Sequence, residues 1–262
     1  AHWMKVLGEE YPHFNTVGET WVPEPAYTAA WQKDSKLSEK NSYLPTVMDF
    51  AFFDRINSAK NEETDDWWNG MNRIYNVFCY DYLYPNPKSV MAFVENHDTD
   101  RFLGEGKDTL ALKQALALLL TVNRTPQLYY GTEVLMNGTK SVTDGNVRKD
   151  FPGGWAGDKH NAFTADWLSR LLHWRQGNEV ITKGKQTQFC PQKGVYVIAR
   201  QYKGKSVMTI INGKKEVNEL NVSRYAEIIG NAEKAVDVTN GRTVLVNKNI
   251  KLRPRQAMIL EF

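Results

Sequence analysis

The sequence carries almost no surplus charge. Its 33 Lys and Arg are nearly matched by 30 Asp and Glu, leaving a formal net charge of +3 over 262 residues. No basic stripe interleaved with aromatics occurs, so a nucleic-acid surface is excluded, because phosphate binding rests on clustered cations. Long hydrophobic runs are missing too. No window approaches the roughly 18 uninterrupted apolar residues of a membrane span, and the longest run, Ala115 to Leu120, sits inside a helical pattern. Cys79 and Cys190 are the only cysteines, and as a sequence they are equally consistent with a pair and with two free thiols.

The start of the chain also lacks something. Trp3, Met4 and Leu7 have amphipathic-helix spacing, yet no Ser, Thr, Asp or Asn cap precedes them, and neither an initiator Met nor a signal peptide is present. The expectation is a cut inside a longer parent chain. Aromatic residues, in contrast, are plentiful: 8 Trp, 12 Tyr and 11 Phe. Their flat faces suit the stacking of sugar rings, although packed cores use the same residues.

Along the first two thirds of the chain, strand-like and helix-like segments alternate. Asn15 to Thr20, Leu44 to Phe53, Ser89 to Glu95 and Pro126 to Tyr130 read as strands. The third is continuously apolar through Val90-Met91-Ala92-Phe93-Val94, as in a parallel strand buried on both faces. Val22 to Asn41 reads as a polar loop, and Asp54 to Lys60 as a helix. A further helix capped by Thr64, with Asp65 and Asp66 in its first turn, would bury Trp67, Trp68, Met71, Ile74, Tyr75 and Phe78. Asp108 to Asn123 and a segment capped by Thr164 complete the helices. Four such repeats are the rhythm of βα units around a parallel sheet. Near Gly184 the pattern changes to short strand-like runs separated by Lys203-Gly204, Asn212-Gly213 and Asn240-Gly241. The expected domains are therefore 1–183, strand and helix alternating, and 184–262, antiparallel β without helices.

In barrels of parallel strands, functional side chains gather at the C-terminal strand ends. Glu19 ends the first strand and Asp98 follows the third, two βα units later, so both should face the same end of the sheet. Glycoside hydrolysis needs two carboxyl groups of this type, one to protonate the leaving oxygen and one to attack or stabilise the sugar. A lone Glu at a strand end is more often a solvated loop residue, and Asn96-His97-Asp98 read by spacing alone is as consistent with a turn as with a sugar-binding loop. A dinucleotide-binding turn is excluded, because Gly104-Glu105-Gly106 lacks the third glycine of that motif.

Phe93-Val94-Glu95-Asn96-His97-Asp98 resembles the fourth conserved region of the α-amylase family of glycoside hydrolases. Val17-Gly18-Glu19-Thr20-Trp21 resembles its third, and Gln127 to Glu133 resembles its eighth strand with the loop that follows. Gly145 to Gly154 is similar to the neopullulanase and cyclomaltodextrinase branch. The resemblance implies an α/β fold: the C-terminal half of a (β/α)8 TIM barrel, strands five to eight, followed by an antiparallel β-sandwich. It also implies a retaining hydrolase of α-glucans such as starch, pullulan or cyclodextrins, in a periplasmic or secreted setting.

On this resemblance Glu19 is the general acid/base. Asp98 holds sugar hydroxyls and favours the oxocarbenium-like state, and His97 donates to the same ring. Asn96 orients the loop, Arg101 braces it, and Trp21 offers a stacking face. No cofactor or metal is expected at these residues, with calcium left open. The family's nucleophile Asp, on the fourth barrel strand, has no counterpart here. Asp144-Gly145-Asn146-Val147-Arg148-Lys149-Asp150 mimics its pattern but follows the last strand, so neither Asp144 nor Asp150 is assigned that role. The partners expected are an α-glucan and the N-terminal half of the same parent, without which the chain would be inactive. The alternative is a non-catalytic, carbohydrate-binding homologue.

Overall fold

The computed structural model describes residues 1–63, 66–141, 143–153 and 162–262, excepting the side chains of 162–164. The expected roles of Thr64, Asp65 and Gly154 lie outside the described residues. Helix α1 (His2–Glu10) leads into strand β1 (Val17–Gly18), α2 (Pro25–Ala30) and β2 (Thr46–Val47). There follow α3 (Phe50–Ala59), α4 (Met71–Phe78), β3 (Met91–Ala92), α5 (Thr109–Thr121), β4 (Thr125–Pro126), α6 (Ala162–Arg175) and α7 (Glu179–Lys183). β1 pairs in parallel with β2 and β3 with β4, while a parallel bridge from Met48 to Met91 joins the two pairs. The result is one parallel series in the order β1-β2-β3-β4, with all C-terminal ends on one edge. Among the described residues no strand pairs with the outer edge of β1 or of β4.

These strands are shorter than their apolar patterns suggest, for local reasons. After β1 the Thr20 N–H turns back to the Gly18 carbonyl, and the Thr20 hydroxyl takes over the ladder by donating to Met48 O at 3.0 Å. β2 ends because Asp49 caps α3, its carboxylate accepting the Phe52 N–H at 2.9 Å. The helix consequently starts at Phe50, inside the segment expected to be a strand. β4 contains Pro126, which cannot donate to a ladder. The loop expected from Val22 to Asn41 contains α2, opened by Pro25 at its first position.

Two helix expectations are also corrected. α4 buries Met71, Ile74, Val77 and Phe78, but Trp67 and Trp68 precede it and stand 64% and 75% exposed. Thr164 lies inside α6, which begins at Ala162, so it is no cap.

Beyond α7 the chain forms β5 (Lys185–Gln192), β6 (Val195–Tyr202), β7 (Lys205–Asn212), β8 (Asn218–Leu220), a short helix α8 (Ala226–Ile229), β9 (Lys234–Asp237), β10 (Arg242–Leu245), β11 (Ile250–Leu252) and β12 (Ala257–Glu261). Helix α8 is an element the sequence pattern does not anticipate. A six-stranded antiparallel sheet runs β10-β9-β12-β7-β6-β5, and the β8–β11 ribbon covers one of its faces. Between them Leu220, Ile250 and Leu252 pack with Val197, Met208, Ile210 and Leu260.

The opposite face carries Tyr196, Ile198, Val207, Ile211 and Ile259, and it shares one core with α4, α5 and α6. This explains β7, in which every residue from Ser206 to Asn212 is buried. It also explains α5, whose residues from Ala115 to Thr121 are buried on every side. Cys79 and Cys190 are unpaired.

One charged cluster ties the parallel layer together. Arg124, fully buried, donates to Asp49 at 2.8 Å and to Asp81 at 2.6 Å, with Phe78 and Tyr84 against its guanidinium. Burial pulls its pKa down, but Asp81 and Asp49 more than offset this and leave it raised. Asp49→Ala should therefore cost about 3–5 kcal/mol in urea unfolding, because it strands part of a buried charge.

A milder, pH-dependent contribution comes from Glu62, which accepts from Arg73 Nε and Nη2 at 2.7 Å each and from the Gly70 N–H at 2.7 Å. The Arg73 hydrogen bond holds its carboxyl below the usual range. Its stabilisation is thus full above about pH 4.3, the ordinary glutamate value, and is lost as pH falls through the depressed folded value. Glu62→Gln should remove about 0.5–1 kcal/mol at pH 7, with the difference vanishing in unfolding curves at strongly acid pH.

Candidate active site

Because β1 to β4 are parallel, Glu19, one residue past β1, and the loop after β3 emerge at the same edge. Glu19 is exposed, and its carboxylate has no hydrogen-bond partner among the described residues. Trp21 lies 53% exposed, its ring stacked on Phe50 at 4.7 Å and 17°. Phe50 in turn meets Phe93 edge-on at 5.0 Å, so the indole is seated on rings from the starts of α3 and the β3 loop.

The loop from Phe93 to Phe102 is fixed by its own polar groups. Asn96 Oδ1 accepts the Asp98 N–H at 2.9 Å, and the Thr99 hydroxyl accepts the Asn96 N–H at 3.0 Å. This Asx-type turn presents His97 and Asp98 outward. The Asp98 carboxylate is engaged on both oxygens, by His97 Nε2 at 3.0 Å on Oδ2 and by Arg148 Nη2 on Oδ1. Arg148 also donates to His97 O at 2.8 Å, and Lys140 Nζ donates to Asp98 O at 3.0 Å.

Beneath the loop lies a buried ion pair. Glu95 and Arg101 are 2% and 1% exposed, and Arg101 Nη1 meets Glu95 Oε1 at 3.1 Å. Glu95 accepts in addition from the Phe102 N–H and the Thr132 hydroxyl. Arg101 donates to Tyr130 O at 2.7 Å and Val147 O at 3.1 Å, and its guanidinium lies over the Tyr129 ring at 4.0 Å. Burial, followed by the hydroxyl of Tyr130, pushes the Tyr129 phenol up to about 12, so it remains a neutral phenol at neutral pH. Between the two loops the chain passes so closely that a Cβ on Gly138 would stand 2.3 Å from Asn146 O, at a φ of +150°. Only glycine fits there.

The structure thus brings Asn96, His97, Asp98 and Arg101 into one hydrogen-bonded unit. It sets Trp21 beyond the end of β1, with β2 between it and the unit, and Glu19 on the same edge without contact to the unit. Asp144 lies in a tight turn where its carboxylate faces Lys140 at 3.3 Å and Arg148 at 3.6 Å. Sequence reasoning missed Arg148, Lys140 and Glu95. Glu95 had a signal, as the one acid closing the apolar run from Val90. Arg148 had none, because its partner is distant in sequence. Among the described residues no cluster of three or more His, Cys, Asp or Glu is arranged to hold a metal ion, and no helix is long and apolar enough to cross a membrane.

Arg101→Met should cost about 3–5 kcal/mol in denaturant unfolding, since Glu95 would remain buried without its charge partner. Arg148→Ala, on the partly exposed Asp98 pair, should cost no more than about 1 kcal/mol.

Comparison with known proteins gives the chain its relatives. Residues 1–205 match the model of the alpha amylase catalytic domain, and residues 186–261 match that of the cyclo-malto-dextrinase C-terminal domain. A cyclomaltodextrin glucanotransferase of Geobacillus stearothermophilus is 25% identical over 82% of this chain and 29% of its own length. An alpha-amylase of Niallia circulans is 26% identical over 77% of this chain and 38% of its own length. The chain therefore spans less than two fifths of either curated relative. Among solved structures, an Anoxybacillus alpha-amylase superposes with a TM-score of 0.78 at 20% identity, covering 99% of this chain and 54% of that one. The alpha-amylase of Geobacillus thermoleovorans, complexed with acarbose, gives 0.78 at 20% identity, covering 99% and 56%.

Proposed function

The chain belongs to the family of the alpha amylase catalytic domain, and on that premise we propose that it supplies the C-terminal half of a retaining α-glucan hydrolase. The observation that carries this reading is the shared edge: Glu19 and the Asp98 loop both leave C-terminal ends of one parallel strand series. Glu19, unencumbered by partners among the described residues, is the group that delivers a proton to the leaving glycosidic oxygen and later takes one from water. Asp98 is held from two sides, and a carboxylate has about four lone-pair positions, so it can still accept from sugar hydroxyls. Trp21 provides a flat face beyond the point of cleavage.

A retaining route requires a nucleophile to form the glycosyl-enzyme bond, about 5–5.5 Å from the acid/base. Asp144 is turned onto Lys140 and Arg148 and does not serve. The nucleophile therefore comes from the N-terminal half of the parent. The outer edges of β1 and β4, unpaired among the described residues, are where the strands of that half would join. The substrate class is an α-1,4-linked glucan, with α-1,6 linkages as a second target. The match of residues 186–261 to a cyclo-malto-dextrinase domain favours cyclodextrins and short maltooligosaccharides within it.

Maltooligosaccharide and pullulan assays on three proteins test the proposal. The 262-residue chain should show no turnover, the longer parent should hydrolyse, and the parent carrying Glu19→Gln should fall by about 10²–10⁴-fold. Turnover by the isolated chain near parental rates would place the nucleophile within it. Full activity of the Glu19→Gln parent would remove the acid/base assignment. A parent that binds these sugars without cleaving them would establish the non-catalytic homologue instead.

A further inference from the structure

Trp67 and Trp68 do not join the core under α4 but stand 64% and 75% exposed. Their backbone is nevertheless tied down by two hydrogen bonds. Asp66 Oδ1 accepts the Trp68 N–H at 3.0 Å, and Asn76 Nδ2 donates to Trp67 O at 2.8 Å. Trp68 forms one wall of a cleft of about 260 Å³ on the outer faces of α3 and α4, with Tyr80, 43% exposed, also lining it. Arg55, Arg73, Asn76 and Glu24 supply the polar lining. Glu19, Trp21, His97 and Asp98 are not among the residues that line it.

The charges here are already matched. Arg73 is held in two-point contact by Glu62, with both distances 2.7 Å. Arg55 meets Asp54 at 2.6 Å and Glu24 at 2.9 Å. A site for an anion would leave its arginines unpaired, and a site for an apolar peptide would not be rimmed by ion pairs. What fits is a neutral ligand with flat apolar faces and a periphery of hydroxyls. Its rings can lie against the Trp68 and Tyr80 side chains while its hydroxyls meet charge-paired forks and an amide. We propose that this cleft is a second carbohydrate-binding site, on the helical side of the domain, that takes one or two glucose units of an α-glucan. The sugar class is argued from the cleft's lining, whereas the choice of an α-glucan rests on the proposed function.

The experiment is calorimetric titration of the 262-residue chain carrying Asp98→Asn, which weakens the Asp98 loop as a binding site, with maltoheptaose and with β-linked cellohexaose. Maltoheptaose should still bind. Adding Trp68→Ala or Tyr80→Ala should weaken that binding at least tenfold, while Trp3→Ala, at another exposed tryptophan, should not change it. Circular dichroism confirms that each variant is folded, as substitution at exposed positions allows. Absence of binding to both sugars in the Asp98→Asn chain, or binding that survives Trp68→Ala, would overturn the site. A preference for cellohexaose would overturn its assignment to α-glucans. Turnover by the parent depends on Glu19 and not on Trp68, so the two proposals fail separately.

Discussion

The guanidinium of Arg101 has almost no access to water, and that constraint shapes the whole Asp98 loop. A buried cation is costly unless its charge is neutralised from within the protein. Here Nη1 and Nε find partners in three places, Glu95 at the end of the β3 segment, Tyr130 after β4, and Val147 in the loop beyond it, while Nη2 has none among the described residues. Holding one side chain therefore fastens together segments that are far apart in sequence. Arg148 follows Val147 directly and is delivered onto Asp98 by the same arrangement. The candidate functional carboxylate is thus positioned from below by a neutralised ion pair and from the side by a second arginine.

The helical layer solves a similar problem with Arg124. Its two carboxylates come from the cap of α3 and from the turn after α4, so Asp49 has two tasks at once. It starts a helix and neutralises a buried charge. This double use explains why β2 stops where it does, and why an apolar stretch that continues to Phe53 does not continue as strand.

Periodicity carried much of the fold. The continuous run Val90 to Val94 marked a doubly covered strand, and the change of rhythm near Gly184 marked the start of the antiparallel sheet. The Asn96-His97-Asp98 run was as consistent with a turn as with a sugar-binding loop by spacing alone, and the resemblance of Phe93 to Asp98 to a conserved region decided it. What stayed hidden depends on partners remote in sequence. Arg148 carries no local sign that it meets Asp98. Trp67 and Trp68 fit a helical stripe with Met71, but the chain turns at Gly70, whose φ is +56°, and leaves both rings outside the packed layer. Asp49 lies inside the segment expected to be a strand, and a cap and a strand-interior acid look alike until the Phe52 N–H is located.

The sharing of α5 between two sheets has an energetic meaning. From Ala115 to Thr121 its residues are buried, and the antiparallel sheet supplies part of that cover, with Gln114 donating to Asn212 O at 2.6 Å and Thr209 to Thr121 at 2.8 Å. The boundary near Gly184 divides the sequence pattern but not the core. A protease cut there would separate two segments, yet neither could leave without exposing a leucine-rich helix to water. A core shared in this way should make the two architectural halves one cooperative unit in unfolding, with a single heat-absorption transition where their topologies alone would suggest two.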